Sequence, residues 1–422
     1  MTIAAPVVPR GGRIVAVLGI VLVALSMRTA VGAIAPIFEI ISDDLHLDII
    51  VLSFIGAAPP IGFAIAGVAV PAITRRWGLE PALLAAIVVI GVGQAVRAFS
   101  AEPLLLMGST AIVMLGIGAT NVLLPPLVRR YFPDRIGGAT SLYLVLMGIG
   151  ASFPAFTVVQ IAEASDWRWA LGLWAFIPVL AVVPWLSMLR TPRAPVPVVV
   201  EFDDGVGTAE PTPPGVRRRI AHSPTAWAIT AGLAMTSATM FVATAFLPAI
   251  LTSAGVAPLT AAIALGIAMS LGIPEALIVP LLATRAGTIT PMLAVAGACG
   301  VVGWGGMLLA PTAAPLLWAV FIGLVAIVFP ISLLLVNGRT RNHTVTVSVS
   351  GFVQGIAYVT VGVFSFGMGL LHDATGSWTV PLILLLATMA LTVPTIVILG
   401  RGRFVDDELA AQPGSRHERV AG

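Results

Sequence analysis

Long apolar runs separated by short polar breaks dominate the chain, and the runs are close to one another in length. A helix needs about 20 predominantly apolar residues to cross the hydrocarbon core of a bilayer. Runs of that kind occur at residues 14–36, 50–72, 81–99, 103–127, 138–161 and 168–189, and again at 225–250, 259–283, 288–310, 313–336, 345–371 and 376–399. The pattern predicts an all-α polytopic membrane protein with twelve transmembrane helices. One long polar stretch interrupts it. Residues 190–224 carry Pro192, Pro195, Pro197, Pro211, Pro213 and Pro214 among mixed charges and hold too little apolar surface to bury a core. The expected organisation is a six-helix half (1–189), a linker (190–224), a second six-helix half (225–400) and a tail (401–422). The first run follows Arg10 and Arg13 as a signal peptide would, but it exceeds the roughly 7–15 residues of a signal's apolar segment. A retained helix is expected.

Composition agrees. The chain is 58% hydrophobic and 10% charged, against roughly 25% charged in a soluble domain. Every basic residue is an arginine, and alanine and glycine are abundant, which points to a GC-rich bacterial genome and not to a mechanism. The net charge of +3 does not come from a nucleic-acid patch, because the arginines are scattered. Of the 22, 19 fall in the N-terminus, the loops after even-numbered runs, the linker and the tail; Arg28, Arg97 and Arg168 are the exceptions. Basic residues mark cytoplasmic loops, so both termini are expected in the cytoplasm and the protein in a bacterial plasma membrane. Cys299, alone in an apolar run, excludes an internal disulfide and a cysteine metal cluster.

The halves repeat each other. Pro36 with Leu47-Asp48 matches Pro248 with Leu259-Thr260 at an offset of 212, and Asp48 and Thr260 are both helix N-cap types. Thr74-Arg75 matches Thr284-Arg285 at 210, Pro125 matches Pro330 at 205, and Ser165-Asp166-Trp167 matches Gly376-Ser377-Trp378 at 211. A near-constant offset in the same order is what duplication of a six-helix unit leaves. Six is even, so the two repeats insert in parallel. That arrangement resembles the major facilitator superfamily, in which the substrate site lies near the midplane between the halves. Within it, MRTAVGAIAPIF (27–38), PAITRRWGLEP (71–81), GATNVLLPPLVRRYFPDR (118–135), DWRWALGLWAF (166–176), FLPAILTSAG (246–255) and FVQGIAYVTVGVFSFGMGLLHDATGSW (352–378) resemble the cyanate and nitroimidazole transporter family. Two departures stand out. The superfamily's loop signature G-x-L-A-D-R-x-G is here Pro71 to Gly78, with Arg75 at the aspartate position, and the seventh run, around Phe241, is poorer in tyrosine and tryptophan than the family.

Candidate chemistry lies inside the runs. Arg28 is 15 residues from Arg13 and 11 from Glu39, about 22 Å and about 16 Å along a helix, too far to reach water at either end. A permanent charge there costs roughly 2.5–3.5 kcal/mol on insertion scales and more in simulation, which favours a wet or paired position in the bundle interior. Its planar fork can grip a carboxylate or small anion at two points. The competing reading is a structural ion pair with Glu275, which lies mid-run beside Pro274. Three roles stay open for Glu275: pairing with Arg28, exchanging a proton, or facing a polar pocket of structural use. The first two combine into a coupling scheme in which the solute displaces Glu275 from Arg28. Asn121, Tyr143, Gln354 and Tyr358 are further candidates to touch the solute, Gln354 and Tyr358 on one helix face; each could equally bond only to a neighbouring helix. Gln94 and Gln160 read as structural, Arg97 as snorkelling to the outer surface, and Arg168 as a loop partner of Asp166. His46, His343 and His372 read as solvated loop residues.

The glycine-rich segments GIGAT (116–120) and GVFSFGMGLL (362–371) have no preceding strand and no following GK[ST], so they read as close-packing surfaces between helices and not as nucleotide loops. With no HExxH, GxSxG or histidine cluster, neither an enzyme, a cofactor nor a metal is expected. The expected function is secondary active transport of a small anionic or polar organic solute by alternating access, driven by the proton gradient, by a monomer whose partners are the solute, protons and the lipid bilayer. The alternatives are a multidrug exporter of the same fold, against which a fixed positive centre argues because it repels cations, and a membrane receptor or enzyme on twelve helices.

Overall fold

The computed structural model describes residues 10–189, 219–283, 288–341 and 343–411. Most of the 190–224 linker, Arg285 and the tail beyond 411 lie outside the described residues. Within them, twelve helices are long and apolar enough to cross a membrane. In the first half they are α1 (Arg13–Leu45), α2 (Ile50–Trp77), α3 (Leu79–Ala98), α4 (Pro103–Tyr131), α5 (Gly137–Ala164) and α6 (Trp167–Leu189). In the second they are α7 (Pro224–Ser253), α8 (Pro258–Val279), α9 (Ile289–Leu309), α10 (Pro315–Gly338), α11 (Ser348–Thr375) and α12 (Thr379–Gly400). A short helix, α13 (Val405–Ala411), follows. Helices are the natural solution for these sequences, since in lipid each backbone N–H and C=O must be satisfied within the segment.

Five spans are interrupted, each at or beside the residue four before a proline. A proline has no N–H to donate, and its ring clashes with that fourth carbonyl. In α1 the α-helix stops at Gly32 and passes through a 3-10 turn, Ala35–Ile37, around Pro36. In α6 the turn is Leu173–Ala175, before Pro178, and in α10 it is Val325–Ile327, before Pro330. The α8 helix breaks at Leu271, before Pro274, and α12 between Met389 and Thr392, before Pro394. The N-cap expectation holds only in part: Asp48 occupies the cap position of α2 without a side-chain bond. Thr260 lies inside a helix that Pro258 begins, capped by Ala257.

The buried apolar side chains fall into three clusters, and their membership sets the shape of the bundle. One joins both halves at the end away from the termini, with Ile37, Leu52 and Trp167 beside Phe246, Ile250 and Trp378. The tryptophans are the repeat-related pair that opens α6 and α12. At the end bearing the termini the cores are separate, one drawn from α1 to α6 and the other from the second half. The halves thus share one core at the distal end and keep separate cores at the terminal end. Hydrogen bonds reinforce the distal junction: Thr252 of α7 donates to Glu39 of α1. The α1 extension is tied to α6 by Asp44, which takes the Trp167 indole N–H at 3.1 Å and pairs with Arg168 at 2.9 Å. Arg168 also reaches Asp166, at 3.7 Å, as the sequence led us to expect.

Polar clasps at the terminal end stay within one half. Arg13 meets Asp134 at 3.1 Å, and the Asp134 carboxyl is held below its usual range by a backbone N–H of its own residue and then by Arg13. Buried Glu80 accepts from Tyr131 at 2.8 Å and pairs with Arg130 at 3.3 Å, so the acid that ties the start of α3 to α4 stands five residues beyond the Arg75 position. In the second half, Glu408 of α13 accepts from Ser223 and from Thr225 at 2.7 Å, and Arg341 pairs with Asp407 at 2.7 Å.

Candidate functional site

Two helix pairs carry the contact between the halves, α2 against α11 and α5 against α8. Small residues let them approach. A Cβ on Gly369 of α11 would lie 1.5 Å from Ser53 Oγ of α2, and one on Gly148 of α5 would meet Ile273 of α8 at 2.4 Å; α2 also nears α7, where a Cβ on Gly56 would lie 2.7 Å from Ala245 Cβ. Between these pairs, α1, α2, α4 and α7 line a small space where the halves meet.

Arg28 emerges on this surface. It is half-buried, and among the described residues it has neither an ion pair nor a hydrogen-bond partner. Its guanidinium lies within electrostatic reach of the Tyr358 phenol, on α11 of the opposite half. Tyr358 in turn sits edge-on to Phe63 of α2, centroids 6.0 Å apart at 78°, and Phe63 is edge-on to Phe241 of α7, 6.3 Å apart at 63°. All three rings are half-buried. Next to them is a cavity of about 10 Å³ lined by Val31, Ile34, Pro59, Met114, Phe241 and Thr244 among others, room for about one water molecule. The walls are apolar apart from Thr244, whose hydroxyl is turned to the Met240 carbonyl at 2.7 Å.

The other candidates divide. Asn121 is half-buried on α4, and its Nδ2 is enclosed without a partner. Gln354 is buried and gives its amide N–H to Ser350 Oγ at 3.0 Å, one turn back on its own helix. Tyr143 packs against the core of the first half. Glu275 is not paired with Arg28. It is buried at the α8 break with both carboxylate oxygens free of hydrogen bonds, it is close enough to Cys299 of α9 to act on it electrostatically, and the segment bearing it packs on the 3-10 turn of α10. Ile273 faces α5; a step of two residues turns Glu275 some 200° away, into the second half and off the central surface.

Arg97 corrects the sequence reading. It does not snorkel: its exposure is 0%, and its Nη1 donates at 2.9 Å to the Ala30 carbonyl of α1. That carbonyl stands in the last turn before the break at Gly32, where unpaired C=O groups and the negative end of the helix dipole collect. A guanidinium there is a C-terminal cap. One turn earlier Gln94, also 0% exposed, has neither amide atom bonded. His372 likewise is not a free loop residue but packs on the Trp378 ring, centroids 4.1 Å apart.

Sequence reasoning missed Phe63 as a site residue. The available signal was a lone large ring in GFAIAG, a stretch otherwise of small and aliphatic residues.

This architecture has a known counterpart, for residues 19–362 match the family model of the Major Facilitator Superfamily. The chain belongs to that superfamily. Within the superfamily it is similar to the 2-nitroimidazole transporter of Escherichia coli, 29% identical over 88% of this chain and 91% of the relative. It is also similar to the cyanate transport protein CynX of the same organism, 25% identical over 85% and 90% respectively. Among solved structures, a bacterial homologue of the human lysosomal transporter Spinster, crystallised inward-facing and unoccupied, superposes with a TM-score of 0.65 over 96% of both chains at 13% identity, a likeness of fold. The protein is thus a multi-pass membrane transporter of the superfamily.

Proposed function

We propose that the protein is a secondary active transporter of a small anionic organic solute, bound at Arg28 between the halves, and that it works by alternating access driven by the proton gradient. The carrying observation is Arg28: a half-buried permanent charge at the meeting of the halves, with no anion paired to it among the described residues. A solute anion is the natural counter-charge. In a bundle interior of low dielectric a bidentate guanidinium contact is among the stronger ones available. That one relative is named for cyanate, an anion, and another for 2-nitroimidazole, a small planar compound, supports the size and polarity of the solute.

With the arginines on the cytoplasmic side, the terminal end, where the halves keep separate cores, faces the cytoplasm. Moving a fixed positive centre from one face to the other then needs the distal core to open as the terminal ends close. For proton coupling the residue we assign is Glu275. Since it does not touch Arg28, coupling by direct displacement is replaced by coupling through helix shape: proton exchange at Glu275 acts on the α8 break beside it, and α8 packs on α5 of the first half.

Reconstitution separates these claims. Uptake of a radiolabelled carboxylate into proteoliposomes is expected to rise with an imposed inward proton gradient and to vanish in Arg28→Ala. Glu275→Gln is expected to abolish the response to the gradient while leaving solute exchange. A Glu275→Gln variant that still concentrates solute under the gradient overturns the assignment of the proton site, and an unaffected Arg28→Ala overturns that of the anion site. Proton-driven extrusion of hydrophobic cations would instead support the multidrug reading, which the uncompensated Arg28 disfavours.

A further inference from the structure

We propose that the anionic solute carries a flat aromatic or heteroaromatic ring next to its charge, held by Phe63, Phe241 and Tyr358 while Arg28 holds the anionic group. The inference rests on the anion reading of Arg28 and adds the chemistry of the rest of the molecule.

Three observations carry it. The rings come from α2, α7 and α11, and so from both halves, yet they form one continuous cluster through Phe63. All three keep part of their surface exposed; Phe241 lines the cavity between the halves, and Phe63, which backs onto the first-half core, meets both of the other rings. Arg28 stands one helical turn before Val31, which lines the cavity together with Phe241, and its charge reaches the Tyr358 phenol of the cluster, so the ring site and the charge site adjoin.

The cluster has a geometry that favours one class of guest. Phe63 turns its edge or face to two neighbours at 6.0 and 6.3 Å, inside the 4.5–7 Å range of favourable aromatic pairs, and a guest ring that joins them regains contacts of the same kind, worth about 2- to 12-fold in affinity for each ring met. An aliphatic ring of similar bulk gains only the burial of its surface. A guanidinium also stacks on aromatic faces, so an aryl carboxylate can meet Arg28 through its oxygens or along its ring. The small neighbouring cavity, with Pro59 and Met114 in its wall, adds apolar surface and little for a polar chain to bond.

The test compares benzoate with cyclohexanecarboxylate, which share the carboxylate and differ in the ring, by ligand-induced thermal stabilisation of the purified full chain and by competition for uptake. Wild type is expected to bind benzoate at least about five-fold more tightly. Phe63→Leu is expected to erase that ratio while keeping cyclohexanecarboxylate binding, which also shows that the variant is folded, and Phe63→Tyr is expected to keep it. Equal affinity for the two acids in wild type, or a ratio that survives Phe63→Leu, overturns the proposal. The anion reading fails separately: if Arg28→Ala leaves both carboxylates bound, Arg28 is not the anion site, whatever the ring preference.

Discussion

Gly369→Val tests the distal junction at its tightest point. A Cβ there would stand 1.5 Å from Ser53 Oγ and 2.6 Å from Ser53 Cβ, where ordinary contact needs about 3.5 Å. Rotating the serine hydroxyl relieves the first clash but not the second, so α2 and α11 must part by about 1 Å. Overpacking of this kind costs about 1–3 kcal/mol. In the alternating-access cycle proposed above, the contact belongs to the sealed state, so the cost falls on that state and is expected to shift the ratio of sealed to distally open molecules by roughly 5- to 150-fold. A cysteine at Thr244, on the wall of the cavity, in a Cys299→Ser background, reports the change through labelling by a membrane-impermeant maleimide applied to either face. Labelling from the distal face is expected to rise at least about five-fold in Gly369→Val and to fall back when Ser53→Gly is added. Gly150→Ala is the control: its Cβ would meet the Leu25 carbonyl at 2.7 Å, a clash with backbone inside the first half, and should lower thermal stability without changing access. Unchanged distal labelling in a folded Gly369→Val protein refutes the reasoning.

Three further outcomes follow from the clasps. Arg97→Leu strips the Ala30 carbonyl of its buried donor and is expected to destabilise the protein by about 1.5–3 kcal/mol, the range for a charge-assisted bond; an unchanged melting temperature in detergent contradicts the capping role. Tyr131→Phe leaves Glu80 with Arg130 but without the phenol, at a cost of about 1.5 kcal/mol, and Glu80→Gln in that background should cost less than it does alone, a coupling that a double-mutant cycle measures. Glu408→Ala removes the acceptor for Ser223 and Thr225 at the start of α7, with an expected loss of about 1 kcal/mol; amide exchange in residues 223–226 should quicken, and equal protection in both forms counts against the clasp.

The fold was legible because membrane insertion imposes one strong rule, a helix of about 20 apolar residues per crossing, and because gene duplication left Trp167 and Trp378 at matching places. The helix breaks were only half legible. Pro36, Pro178, Pro274, Pro330 and Pro394 each interrupt a helix, whereas Pro59, Pro60, Pro125, Pro126, Pro154 and Pro248 do not, and a proline looks the same in both cases. Arg28 could be singled out because a permanent charge in an apolar run demands an explanation. Its neighbours could not: which of Glu275, Tyr358 and Phe63 stands near it depends on how each helix is rotated about its axis, and spans that are apolar on every side carry almost no signal of rotation. Arg97 was misread for a related reason. Distance to the helix end measures how far a side chain can reach and not which way it points, and this one points at α1.

The central claim is that Arg28 selects the solute by its charge. Competition of benzoate and of neutral benzamide against uptake of a labelled carboxylate, in wild type and in Arg28→Ala, measures that selection with shape held nearly constant. A charge-assisted contact is worth about 1.5–3 kcal/mol, so wild type is predicted to prefer benzoate by roughly 10- to 150-fold, and Arg28→Ala to bring the two within about three-fold of each other. Equal competition by benzamide in wild type, or a preference for benzoate that persists without Arg28, would contradict the account.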